Sequence, residues 1–163
     1  MELHLRPVDL SNREFLDTID PGAHALEWVH ANWYWHQVSL DHPDIAFRLV
    51  HLDGVDEAVG MVGYGQAYED EALLHPVAGR YELAHLVIDH RHHRRGIGRA
   101  VARSVLTMLA AELDCQQVVV AHHPDNEPSR TLFLSLGLRP LDERNYDGDP
   151  LLGATPAELL RLA

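Results

Sequence analysis

The chain has 163 residues, 46% of them hydrophobic, which suits one domain with a real core, so residues 1–163 are expected to fold as a single domain. A formal net charge of −12 argues against nonspecific binding to nucleic acid, which needs a basic surface; it serves solubility first, and an acidic field also attracts cations, amines among them. The lone cysteine, Cys115, excludes an intrachain disulfide, and no apolar run approaches the ~20 residues that cross a bilayer. With no apolar leader in its first residues, the protein is expected to be cytoplasmic.

In chain order, Leu3 to Val8 reads as a short strand ending near Pro7, and Asn12 to Ile19 as a short helix stopped by Pro21-Gly22. His24 to Leu40 reads as one amphipathic helix, with Leu26, Val29 and Trp33 at helical spacing and Trp28, Tyr34 and Trp35 adding aromatic surface. Ile45 to Leu52 is a strand, followed by a turn at Asp53-Gly54. Ala58 to Tyr68 is another, with Gly60, Gly63 and Gly65 permitting close backbone approach. Glu69-Asp70-Glu71 opens an acidic loop, and Tyr81 to Asp89 is a strong strand. Gly98 to Leu113 is the clearest helix, with an apolar stripe of Val101, Val105, Met108, Leu109 and Leu113. Gln117 to Ala121 is a buried-type strand. Ser129 to Leu136 is a helix started by Asn126 and Pro128 and stopped by Gly137. The tail from Arg139 adds strands, then a helix from Ala157 to Leu162. The pattern is a mixed α+β domain.

The segment from Ile88 to Arg99 carries the most chemistry. It joins a strand to a helix, and Gly96 and Gly98 let backbone N–H groups approach a bound anion at the positive end of the helix. Arg91, Arg94, Arg95 and Arg99 fall in a stretch without acids, on an otherwise acidic chain. A basic loop of this kind suits a pyrophosphate. The spacing is not that of a dinucleotide fingerprint or a P-loop, because no third glycine and no G-K-[ST] follow.

This strand, Arg94-Arg95-Gly96-Ile97-Gly98 and helix resemble motif A of the GNAT superfamily of N-acetyltransferases, with His93 in place of the usual Gln or Arg. A second stretch, from Asn126 through Ser129, Leu132 and Phe133 to Gly137-Leu138, is similar to that family's N-x-x-[AS]-x-x-L-[YF]-x-x-x-G-[FL] pattern. The resemblance covers about residues 45 to 140 and implies a GNAT-type mixed, mainly antiparallel central sheet flanked by helices, with splayed middle strands. It implies acetyl-CoA as cosubstrate. Leu86, Val87 and Ile88 would pair with the pantetheine arm. His93, Arg94, Arg95, Gly96, Ile97, Gly98 and Arg99 would hold the pyrophosphate. Asn126, on the next splayed strand, with Ser129 and Phe133 would lie near the pantetheine.

The reaction so implied is direct attack of a neutral amine on the thioester, which requires removing a proton from an ammonium of pKa about 10.4. Glu82 matches the base of one branch of the family, and His85 is a second candidate by its imidazole chemistry. The family commonly has tyrosine where this chain has Phe133, which cannot protonate a leaving thiolate. Tyr146 and Ser129 are the alternative acids.

From Val59 to Asp89 the chain is similar to the bacterial polyamine acetyltransferase branch, which implies a small-molecule primary amine, polyamines included, as acceptor. Two other readings stay open: an acetyltransferase for protein N-termini or lysines, and a non-catalytic acyl-CoA-binding regulatory module. Family members are often homodimers. The histidines at 90, 92, 93, 122 and 123 lack a metal-site spacing, so no metal is expected.

Overall fold

Apolar runs of the sequence become seven strands in the computed structural model, which describes residues 2–161: β1 (Leu3–Arg6), β2 (Ile45–Leu52), β3 (Gly60–Tyr68), β4 (Pro76–Ile88), β5 (Gln117–Ala121), β6 (Arg139–Arg144) and β7 (Pro150–Ala154). Four α-helices accompany them: α1 (Asn32–Asp41), α2 (Ile97–Ala110), α3 (Glu127–Ser135) and α4 (Pro156–Arg161). The strand order is β1-β2-β3-β4-β5-β7-β6. The chain divides into two compact units, Met1–Tyr64 with His85–Ala102, and Gly65–Ala84 with Arg103–Ala163.

In the first unit β1 pairs antiparallel with β2, Leu3 opposite Leu52 and Arg6 opposite Leu49. Pro7 has no N–H to extend the ladder, so β1 stops short of the expected Val8. Leu49, Val50, Val59, Met61 and Val62 are fully buried, each worth about 1.5–3 kcal/mol in water-excluded apolar surface. A Cβ at Gly60 would lie 2.6 Å from the Val87 carbonyl oxygen, so only glycine lets β3 approach there.

In the second unit β4 and β5 run parallel, but their ladder covers only Arg80–Glu82 against Gln117–Val119. β5 continues to Ala121 paired antiparallel with β7, so it parts from β4 just beyond Glu82. This is the start of the splay that the resemblance implied. β6 pairs with β7 through a register shift between Pro140 and Arg144. Val118, Val120, Leu152 and Leu138 form the core, with Phe133 of α3 and Leu159 of α4 buried as well.

The segment from His24 to Leu40 departs from the expected single helix. A 3-10 helix spans Ala23–Trp28, Val29 and Ala31 are extended, and α1 starts afresh at Asn32. Ala31 has no side chain to cap α1, and Asn32 spends its amide on the carbonyls of Leu16 and Ile19, both at 2.7 Å. The expected stripe faces outward, Leu26 being 59% and Trp33 62% exposed, while Trp35 is the buried ring. The segment after Asn12 is a 3-10 turn, Arg13–Asp17, rather than a longer helix.

Helix α2 ends at Ala110, so Leu113 lies beyond it and is exposed, as Met108 partly is; the buried stripe is Val101, Ala102, Val105, Leu106 and Leu109. β4 begins five residues before Tyr81, through a Pro76 and a Gly79 that read as breakers. Helix α3 starts at Glu127, with Pro128 in its first turn. Helix α4 begins at Pro156, and Leu162 lies outside the described residues.

Candidate functional site

The first unit holds the loop that the sequence marked for an anion. Asp89 ends β4 with its carboxylate buried, 1% exposed. That carboxylate accepts from the backbone N–H of Asp20 and of Arg91, each at 3.0 Å, and from Arg91 Nε at 2.8 Å. The Arg91 hydrogen bond and charge, with the two backbone donors, outweigh burial and hold this carboxyl down at about 2. Arg91 is therefore a structural cation. His93 turns back, its Nε2 donating to the Ile88 carbonyl at 2.7 Å.

Beyond His93 the loop is exposed through Gly96, and Ile97 is buried as an anchor for α2. Arg94 has φ +63° and Gly96 φ +75°. The left-handed conformation costs a non-glycine residue about 1–2 kcal/mol, so the Arg94 backbone holds strain. A Cβ at Gly96 would meet nothing within 4 Å, and at Gly98 only Ile88 Cγ1 at an ordinary 3.5 Å. Internal crowding does not demand glycine at either place. What remains is an open cradle of amides where the first turn of α2 leaves N–H groups without helical partners. Arg94, Arg95 and Arg99 are exposed around it.

The second unit contains a cavity of about 370 Å³. Glu82 stands in its wall together with Tyr68 and Glu69 at the end of β3, Arg80 of β4, and Glu143 and Tyr146 of the β6 region. Desolvation is the main force on Glu82; the Arg80 charge opposes it and Asp147 reinforces it, leaving the carboxyl raised to about 7. Arg80 forks onto Glu143, with nitrogen–oxygen distances of 3.2 and 3.3 Å. Arg144 Nη1 donates to the Gly148 carbonyl at 2.9 Å.

Of the catalytic candidates, Glu82 and Tyr146 thus line one cavity. His85 does not share it. Alternation along β4 puts Leu83, His85 and Val87 on the buried face and Glu82 on the other. His85 is 5% exposed, and burial with the nearby His30 pushes its imidazole down to about 3, so it stays neutral. Its Nε2 and the Nε1 of Trp35 lack hydrogen-bond partners among the described residues.

Leu86 and Ile88 are half-buried and Val87 is buried. Asn126 is not on a strand, as the resemblance suggested: it is the N-cap of α3, where its Oδ1 accepts from the Ser129 N–H at 3.2 Å. Ser129 is half-buried and Phe133 is buried.

In the acidic loop, Asp70 is committed to the turn itself, accepting from the N–H groups of Leu74 and His75 at 3.0 and 2.9 Å. Sequence reasoning passed over Arg80, Glu143 and the role of Asp89. Arg80 could have been found as the residue two before Glu82 on the same strand face. Among the described residues, the donors close enough together for a metal are Glu2, His4 and Asp53, not the histidines near residue 90 or 122.

The model of the acetyltransferase (GNAT) family matches residues 8–138. No curated protein matches the chain in sequence. Among solved structures, an aminoglycoside acetyltransferase, AAC(6')-Ib, in complex with coenzyme A is similar over 98% of this chain and 98% of its own, with a TM-score of 0.76 and 14% identity. The spermidine N-acetyltransferase of Vibrio cholerae, in complex with CoA and spermine, is similar over 97% of this chain and 98% of its own, with a TM-score of 0.71 and 12% identity. The PaiA N-acetyltransferase of Thermoplasma acidophilum, in complex with coenzyme A, covers 95% of this chain and 99% of its own, with a TM-score of 0.65 and 13% identity.

Proposed function

Because the chain belongs to the acetyltransferase (GNAT) family, we propose that it works as one catalytic domain that moves an acetyl group from acetyl-CoA to a primary amine of a small molecule, with linear polyamines the best candidates. The observation that carries the reading is Glu82, a half-buried carboxyl raised to about 7 in the wall of a small cavity. A base poised near neutral pH can both take a proton from an ammonium and pass it on. The volume of about 370 Å³ fits a small ligand better than a peptide backbone in a groove. Glu69 adds negative charge beside Glu82, which suits a ligand with more than one ammonium.

The chain's own residues divide the work. The amides from Arg94 to Gly98 and the start of α2 fit a pyrophosphate, with Arg95 and Arg99 adding charge. Leu86, Val87 and Ile88 offer strand edges to an extended arm. Acetyl-CoA, when bound, supplies the acetyl thioester. Glu82 removes the ammonium proton at its carboxylate oxygen, and Tyr146, on the same cavity, holds a proton at its hydroxyl that it can donate. The neighbours that bind aminoglycosides or spermine are consistent with a small amine acceptor. Phe133 favours the second reading, a non-catalytic acyl-CoA-binding module, because a buried phenyl ring gives up no proton.

Free-thiol release from acetyl-CoA, measured against spermidine, putrescine, single amino acids, aminoglycosides and a lysine peptide, tests the proposal. Turnover with polyamines supports it. Turnover with the peptide alone replaces it with a protein acetyltransferase. Silence with every amine, while calorimetry shows CoA binding, leaves the binding module.

A further inference from the structure

Arg80 and Glu82 sit two residues apart on β4, so their side chains leave the same face of the strand roughly 7 Å apart. Both line the same cavity. Arg80 does not hang free there. Its guanidinium is forked onto both carboxylate oxygens of Glu143, which β6 brings over from 63 residues further along the chain. A planar fork held at two oxygens fixes where the positive charge stands, which a single-point contact would not do.

We propose that Arg80, clamped in place by Glu143, is a positioning residue for Glu82: the fixed guanidinium sets when Glu82 holds its proton and when it releases it. The inference rests on the reading of Glu82 as the base. Its support is the shared cavity and the fork, together with the charges that face Glu82. From β4 there is Arg80, and from the end of β3 Tyr68 and Glu69. From β6 and the turn after it come Glu143, Arg144 and Tyr146, with Asp147 acting on Glu82 through its charge. β5 and β7 contribute Val119 and Leu151, which carry none. Arg80 is the cation whose charge opposes the desolvation of Glu82. Glu143 tempers it in two ways, by neutralising part of the guanidinium charge and by holding it at its own carboxylate. A base left alone in this wall would hold its proton too tightly to recycle at neutral pH. One beside an untethered arginine would bind protons too weakly.

The test needs no acceptor. Protein labelled with ¹³C-glutamate is titrated in solution, and the Glu82 carboxyl resonance is recognised by its loss in Glu82→Gln. With the wild type titrating near 7, Arg80→Met should move the midpoint upward by about one unit, because the opposing positive charge is gone. Arg80→Lys, which keeps a positive charge but cannot fork onto Glu143, should recover only part of that shift, and Glu143→Gln should move the midpoint downward. Midpoints unchanged in both Arg80→Met and Glu143→Gln overturn the inference. Should Arg80→Met fail to fold, Arg80→Gln, polar and uncharged, is titrated in its place with the same upward shift expected. The reading of Glu82 as base fails separately, if Glu82→Gln keeps its turnover with the amine panel. A shifted midpoint would still stand in that case.

Discussion

The loop after β4 and the cavity around Glu82 are built on opposite principles. The loop is made of backbone: contiguous residues 89–99, glycine where amides must be bare, a helix start, and a buried aspartate that holds the shape. The cavity is made of side chains drawn from the end of β3, from β4, and from β6 and its following turn. A backbone site tolerates changes of side chain and fails when the conformation fails. A side-chain site does the reverse. The contrast teaches where each substitution should act, and it can be broken or sharpened by experiment.

The largest effect is expected at Glu82. Replacing it with glutamine should lower kcat by about 10²–10⁴-fold while leaving CoA affinity unchanged, as steady-state kinetics and calorimetry would record. Since the base must be deprotonated, the wild-type kcat/KM should fall as pH drops through about 7, and a profile without that limb would remove Glu82 from the role.

Next comes Gly96→Ala. Its cost is purely conformational, because a methyl there has room. A penalty of about 1–2 kcal/mol at φ +75° should weaken CoA binding about five- to thirtyfold with kcat little changed. Unchanged affinity would take the anion away from this loop.

Asp89→Asn should cost about 2 kcal/mol of stability at pH 7, read as a lower Tm. The folded carboxyl lies at about 2, below its ordinary 3.8. The wild type therefore keeps this stabilisation above about pH 4 and loses it as pH falls toward 2, where the two proteins should converge.

The last effect has the opposite sign. The folded-state proton affinity of Glu82 is raised from 4.5 to about 7, so its burial destabilises the fold once it ionises. Glu82→Gln should match wild type at about pH 4, below the ordinary 4.5, and exceed it at pH 9, by about 2–4 °C in Tm for each kcal/mol recovered. A site that keeps a buried base carries this cost in stability.

How much of this was legible in the sequence follows the same division. The loop was legible, because its glycines, arginines and flanking elements are adjacent in the chain. β5 was placed residue for residue, since Gln117–Ala121 is a β-branched run with clear breaks. α3 was announced by Asn126 and Pro128, a cap and a first-turn proline, and both serve those roles. Arg91 differs from the other arginines of the loop because the acid-free stretch begins just after Asp89, which is its partner.

Of the cavity, Glu82 was foreseen through the resemblance, Tyr146 as a stray tyrosine and Glu69 as the start of the acidic loop. Nothing local ties Arg80 to Glu143. Their meeting depends on the tail returning to the sheet through β6 and β7, and tertiary contacts of this kind leave no periodic trace. The break at Val29–Ala31 was hidden for a similar reason. Helical spacing was present, but Asn32 found better partners in the carbonyls of Leu16 and Ile19.

The hydrogen bond from Asp20 to Asp89 joins residues 69 apart in sequence. It has a consequence for the order in which the protein is made. Asp89 receives Asp20 at one oxygen and Arg91 at the other, and the His90 N–H returns to the Asp20 carbonyl at 2.8 Å. A nascent chain cannot close this knot until Arg91 has emerged and the intervening strands have brought Asp20 back. Closing so long a loop is slow compared with forming a helix or a hairpin. The loop from Asp89 to Gly98 should therefore be among the last parts of its unit to take shape, appearing after β2 and β3 have paired. A pulse of hydrogen exchange during refolding should find the Asp20 and His90 amides protected later than those of β2.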